Sequence, residues 1–183
     1  RMVNPIESDL TRIRAESARM RAGYLNFADA DTTAVRPFVK PVTGITSSPF
    51  GRRRILNDQP RNPHSGLDIA AAEGTPVLAP APALVTLTGE FYFNGNTLFL
   101  DHGQGLVTMY CHLSKINVSE GARIARGDTL GLVGATGRVT GPHLHWSVSL
   151  NGNRVDPVLV MDLLKDQESE PTAEPVAASQ PAD

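Results

Sequence analysis

The chain contains five histidines, and four of them occur in settings that suit a chemical site. In His64-Ser65-Gly66-Leu67-Asp68 an imidazole and a carboxylate stand four positions apart around a glycine. Gly66 and the following Ile69 argue against a helix, so a loop running into a strand is expected, with a turn at Gly66 drawing both side chains to one point. His143-Leu144-His145-Trp146 has strand spacing. Residues i and i+2 share a face, so the two imidazoles point together while Leu144 and Trp146 face the opposite side, into a core. His112 ends the run 106–112, and a neighbouring strand would bring its ring to the same place. Two nitrogens and one carboxylate are a common catalytic zinc set, with the fourth position left for water. Such a metal lowers the pKa of its water towards 7 and polarises a carbonyl, which is the chemistry of a hydrolase. Two further histidines remain for proton transfer and oxyanion stabilisation. The chain has no His-Glu-x-x-His helix, so histidine has to replace the usual glutamate base.

Each piece alone has a plainer reading. A single His-x-x-x-Asp is more often a turn than a ligand pair, and His102, within Asp101-His102-Gly103-Gln104-Gly105, reads as a turn residue rather than a site residue. Cys111 beside His112 looks like a nucleophile and base, but adjacent strand residues face opposite sides. Arg52-Arg53-Arg54 reads as a solvated edge or loop that could hold a substrate carboxylate. Trp146 reads as core.

The elements that must position these residues are short extended runs broken by Gly, Pro and Asn. Strands are expected at Pro76–Ala79, Leu84–Thr88, Thr97–Asp101, Val107–His112, Thr129–Val133 and His143–Leu150, with turn signals such as Asn94-Gly95-Asn96 and Asn151-Gly152-Asn153 between them. The tight connections favour antiparallel pairing, so the fold class is all-β. Residues from about Glu7 to Ala22 read as a helix with Ser8 as N-cap and a stripe of Leu10, Ile13, Ser17 and Met20. Ala28 to Pro41 has the composition of a linker. Residues 166–183 have almost nothing to bury and are expected to be a disordered tail. The working domain is therefore 41–165, and 1–40 reads as a helix and linker left from a larger upstream region, since the opening Arg1 suggests a processed or trimmed start.

Composition narrows the function classes. With 183 residues, 40% of them hydrophobic, one globular domain is expected. A net charge of -2 offers no global field for nucleic acid or an anionic membrane. No apolar run approaches the roughly 20 residues that span a bilayer, and the start lacks the apolar region of a signal peptide. The single cysteine excludes an intrachain disulfide and any thiolate-cluster metal site.

The ordered set Ser48-Pro49-Phe50-Gly51, His64-Ser65-Gly66-Leu67-Asp68-Ile69-Ala70, Gly74-Thr75-Pro76-Val77, Tyr110-Cys111-His112-Leu113-Ser114, Gly134-Ala135-Thr136-Gly137, Gly141-Pro142-His143-Leu144-His145 and Asp156-Pro157 resembles the lysostaphin and LytM type of zinc peptidases. The resemblance runs from about Ser47 to Pro157. It implies an open antiparallel sheet with a substrate groove along one face, and a single zinc ion held by His64, Asp68 and His145, with His112 and His143 as catalytic groups. It also implies cleavage of peptide bonds in bacterial peptidoglycan, in cross-links or stem peptides, and a periplasmic or extracellular place in the cell envelope. Degenerate members of that kind have lost ligands and act as wall-binding or amidase-activating modules. No ligand is missing here, which favours an active endopeptidase. Ala83 stands where a glycine is usual, and Asn57 to Asn62 lengthens the approach to His64, so both are expected to reshape the groove.

Overall fold

The computed structural model describes residues 5–28, 35–56 and 59–166. In chain order the elements are α1 (Glu7–Tyr24), β1 (Ile45–Ser48), β2 (Arg54–Leu56), β3 (Gln59–Arg61), β4 (Leu67–Ala70), β5 (Pro76–Leu78), β6 (Ala83–Phe91), β7 (Gly95–Asp101), β8 (Leu106–Ile116), β9 (Arg123–Ile124), β10 (Thr129–Val133), β11 (His143–Leu150), β12 (Asn153–Val155) and α2 (Pro157–Leu163). The main sheet runs β1-β4-β11-β8-β7-β6-β9. Strand β10 pairs with β5 and β8, β12 pairs with β11, and β2 and β3 form a separate hairpin. Every pairing is antiparallel, so the expected all-β class is what the chain forms. The expected tail lies outside the described residues, apart from Asp166.

Alternation along the central strands divides the sheet into two faces. On one face Leu67, Ile69, Leu98, Leu100, Leu144 and Trp146 are buried in the main core. Val35 and Phe38, from the stretch with linker composition, belong to the same core, and Phe38 stacks on Trp146 at 5.9 Å between ring centroids. On the opposite face Phe99, Val107, Met109 and Cys111 form a smaller cluster covered by Tyr24 and Met20 of α1. The helix therefore lies on the same sheet face as the odd-numbered β11 residues His143, His145 and Ser147.

Helix α1 starts two residues earlier than a Ser8 cap requires. Ile6 is the N-cap with no side-chain bond, and Asp9 closes the first turn on the Ile6 carbonyl. The buried positions are Glu16 and Tyr24 rather than the Ser17 of the expected stripe. Glu16 is accommodated because its carboxylate accepts from the Tyr92 backbone N–H at 2.7 Å and pairs with Arg12 one turn before, so the buried charge is satisfied. Ser17 instead points outward and donates to the Ile13 carbonyl.

Strand β8 changes partner at the residue that matters most. Leu106 to Cys111 pair with β11, whereas Leu113 to Ile116 pair with β10. His112 sits at the change with φ 64, a left-handed conformation that few non-glycine residues adopt, and this turns its ring out of the regular alternation.

Candidate active site

Sheet register does most of the positioning. His145 of β11 is directly opposite Asp68 of β4 on one side and Cys111 of β8 on the other. Directly opposed residues share a face with their Cβ atoms about 5 Å apart, so His145 and Asp68 must meet. His64 enters from the loop before β4, which is tied to residues 51–52 by His64 N–H to the Arg52 carbonyl and Gly51 N–H to the His64 carbonyl, both 2.9 Å. Gly66 serves close approach: a Cβ there would stand 2.5 Å from the Trp146 carbonyl and 2.9 Å from the His145 ring.

Three donor atoms converge as a result. His64 Nε2 is 3.0 Å from His145 Nδ1 and 3.0 Å from Asp68 Oδ1, and His145 Nδ1 is 2.7 Å from the same oxygen. The protons of both rings are committed elsewhere. His64 Nδ1 lies 2.9 Å from the Pro49 carbonyl, which can only accept, so Nδ1 carries the hydrogen and Nε2 the lone pair. Ser147 Oγ donates to the Ser65 carbonyl at 2.9 Å and therefore accepts from His145 Nε2 at 3.0 Å, which leaves the His145 lone pair on Nδ1. Two lone pairs and a carboxylate oxygen thus face one another. Such a triad is stable around a cation, and its edges are close to the separation of about 3.3 Å expected for neighbouring donors on a tetrahedral zinc. Among the described residues this is the group of three that could hold a metal ion. Burial alone would raise the Asp68 carboxyl, but the His145 and then the His64 ring nitrogens that face it outweigh this whenever they carry a proton, and hold the group well below the usual carboxylate range.

His112 and His143 stand beside this triad, with ring centroids 4.8 Å apart and His112 6.1 Å from His145. Their orientation is fixed in the same way. His112 Nδ1 donates to the Thr136 carbonyl and His143 Nδ1 to the Gly141 carbonyl, each at 2.9 Å, so both rings expose Nε2. Burial pushes the His112 imidazole down to about 4, and the Thr136 carbonyl only partly offsets this, so the ring is neutral at physiological pH.

These side chains open into a groove of about 990 Å³ bordered by Arg52, Ile55, Asn62, Phe93 and Arg138, with Pro5 at one edge. Arg52 and Arg53 of the basic run line it, as does Ile55 of the β2–β3 hairpin that occupies the lengthened approach to His64. Arg138 lies over the Phe93 ring, 4.8 Å from its centroid.

All five residues singled out by spacing are therefore brought together. The two others are not. His102 is buried away from the groove, donating from Nδ1 to the Pro82 carbonyl and bonded through Nε2 to Thr108. Cys111 shares the His145 side of the sheet by register, and the turn at His112 brings that ring to the same side, but Cys111 is fully buried and burial pushes its thiol up to about 12. Sequence reasoning missed Ser147 and Asn94. Ser147 carried a signal, since it follows His145 by two on the same strand face.

The model of peptidase family M23 matches residues 62–157. Among curated proteins, peptidoglycan DD-endopeptidase ShyA of Vibrio cholerae is 42% identical over 60% of this chain and 26% of its own length. The chain thus spans about a quarter of the curated relatives it matches. Among solved structures, a peptidase M23 of Pseudomonas aeruginosa is 48% identical with a TM-score of 0.76, covering 86% of this chain and 64% of that one. A zinc-containing peptidase of Vibrio cholerae is 36% identical with a TM-score of 0.61 over 66% of this chain and 38% of that one. The catalytic domain of lysostaphin from Staphylococcus simulans is 28% identical with a TM-score of 0.58, over 65% of this chain and 92% of that one. With the family match extending over more than half of its residues and the same ordered motifs on the same sheet, the chain belongs to peptidase family M23.

Proposed function

We propose that this chain is a zinc-dependent endopeptidase that hydrolyses peptide bonds of bacterial peptidoglycan, with His64, Asp68 and His145 holding the metal. The observation that carries the reading is the convergence of His64 Nε2, His145 Nδ1 and Asp68 Oδ1, each left without a proton by its surroundings. Nitrogen and carboxylate donors in this number suit zinc with one position open. When bound, zinc supplies Lewis-acid chemistry, polarising a carbonyl and lowering the pKa of water. The protein's own part falls to His112 and His143. With Nδ1 bound to a carbonyl, each ring exchanges protons only through Nε2. A neutral His112 accepts a proton from the attacking water, and the imidazolium so formed donates to the departing amine or steadies the oxygen that gains charge. His143, the more exposed of the two, shares these tasks. Substrate identity is supported by the relative named for peptidoglycan DD-endopeptidase activity, and a chain acting on that substrate works in the cell envelope, periplasmic or extracellular.

Elemental analysis of wild type and His145→Ala, paired with muropeptide analysis of digested sacculi, tests this. About one zinc per wild-type chain, almost none in the variant, and chelator-sensitive products only from wild type are expected. His112→Ala should keep its zinc and lose turnover. Zinc retained by His145→Ala would refute the ligand set, and bound zinc without products would refute the peptidase reading.

A further inference from the structure

The groove does not end at the histidines. A second cavity of about 680 Å³ adjoins it between α1 and the β11–β12 turn, with Met109 of β8 in its lining. Ser65 and Asn94 line both spaces, so the two are neighbours. The second cavity carries two cations. Arg21 stands on the last turn of α1, and the guanidinium carbon of Arg154 of β12 lies over the Tyr24 ring, 3.1 Å from its centroid. Neither belongs to an ion pair among the described residues, and no Asp or Glu lines the cavity. Asn94, Asn153 and Ser65 add further hydrogen-bonding groups. In a chain whose net charge is -2, this is a local reversal of sign.

We propose that this cavity is an anion subsite, in which Arg21 and Arg154 receive a free carboxylate of the peptide whose scissile bond lies at the histidines. The inference rests on the peptidase reading for what occupies the groove. A guanidinium stacked on an aromatic ring is held in one plane, which suits the two-oxygen geometry of a carboxylate. Arg154 is opposite Ser149, two strand repeats or about 13 Å along β11 from His145, so the carboxylate belongs to a residue about four positions from the bond cut. Helix α1 is then a wall of the substrate site, because it supplies Arg21 and the Tyr24 ring that seats Arg154.

Isothermal titration of the zinc-loaded protein with an un-cross-linked tetrapeptide stem, and with the same peptide amidated at its carboxylates, tests this directly. Wild type is expected to bind the carboxylate form on the order of tenfold more tightly, and the Arg21→Gln/Arg154→Gln double variant to bind both forms alike. Arg154→Lys, which keeps charge without the guanidinium, should retain part of the preference. Should thermal melting show the double variant unfolded, Arg21→Gln alone is expected to lose at least threefold of it. Equal wild-type affinity for the two forms, or a preference that survives in the folded variants, overturns the subsite. Sacculus digestion by the same wild-type preparation keeps the two ideas apart: preference without cleavage overturns the peptidase reading alone, and cleavage without preference overturns the subsite alone.

Discussion

Ser147 would hold no metal and touch no substrate, yet it determines which nitrogen of His145 faces Asp68. Its hydroxyl proton is taken by the Ser65 carbonyl, so only its lone pairs are offered to His145 Nε2. Ser147→Ala removes that acceptor and frees the ring to adopt the other tautomer. Zinc affinity is expected to fall about 10- to 100-fold while the fold persists, as when other outer partners of metal-bound histidines are lost. Competition against a chelator of known affinity measures this, and an unchanged affinity would show that Pro49, Ser65 and the sheet register suffice. Cys111 gives the opposite case. Fully buried and with its thiol raised to about 12, it should resist thiol reagents in the native protein and react at an ordinary rate once unfolded; a fast native reaction would contradict its burial. At this scale the sequence was informative wherever a side chain has a chemistry of its own. His143 and His145 announced a shared face through their spacing, and His112 and His64 through their type. Ser147 sat on the same periodicity but looked like any strand serine, because its importance arises from a carbonyl 82 positions away in sequence.

Elements matter here through the backbone groups they offer to the rings. The β6–β7 hairpin brings Gly95, with φ 63, against Thr136, whose carbonyl orients His112. A Cβ on Gly95 would stand 2.3 Å from Thr136 Oγ1 and 2.4 Å from its carbonyl carbon, so the 134–137 segment would have to move. Gly95→Ala is expected to cost roughly 1–3 kcal/mol in stability from the left-handed backbone and the displacement. Turnover should fall by tenfold or more with zinc retained, because His112 loses its fixed proton acceptor. Denaturant unfolding, zinc content and turnover measured together check this, and full turnover would mean that Thr136 does not position the ring. Strands β6, β7, β8, β10 and β11 were readable because their apolar runs bury on one face or both, and the short β5 because Gly74 and Pro80 bracket its apolar residues. Strands β1, β9 and β12 were not, because two to four residues carry too little periodicity, and β1 and β9 owe their pairing to distant partners such as Ala70 and Ala83. Helix α2 did carry a local signal that went unread: Asp156 caps the Val158 N–H at 2.9 Å with Pro157 in the first turn. The buried face of α1 was misread because Glu16 is held by the Tyr92 backbone, a partner 76 residues away.

For the whole molecule, acid stability should depend on a histidine outside the site. His102 is wholly enclosed, with its Nδ1 proton on the Pro82 carbonyl, its Nε2 on Thr108, and the Phe38 ring against it at 5.3 Å between centroids. Burial holds it down to about 4 and the Pro82 bond only partly opposes this; neither cause is a neighbouring charge. In the unfolded chain it takes a proton near its ordinary value of about 6.5. Between those two values the unfolded state binds more protons than the folded one, so stability must fall as pH falls. The contribution is complete above about 6.5 and is lost progressively down to about 4, amounting to roughly 3 kcal/mol over the window. Phe38 comes from the chain leading out of α1 and Thr108 from the central strand, so charging His102 loosens the join between that segment and the sheet. Urea unfolding at a series of pH values, on zinc-free protein so that ligand protonation does not enter through metal release, should show this slope for wild type and a flatter one for His102→Gln. A slope that survives unchanged in the folded variant would assign the acid sensitivity to His112, which burial also holds down to about 4, because the lowered Asp68 carboxyl loses its stabilising partners only at a more acid pH than this window.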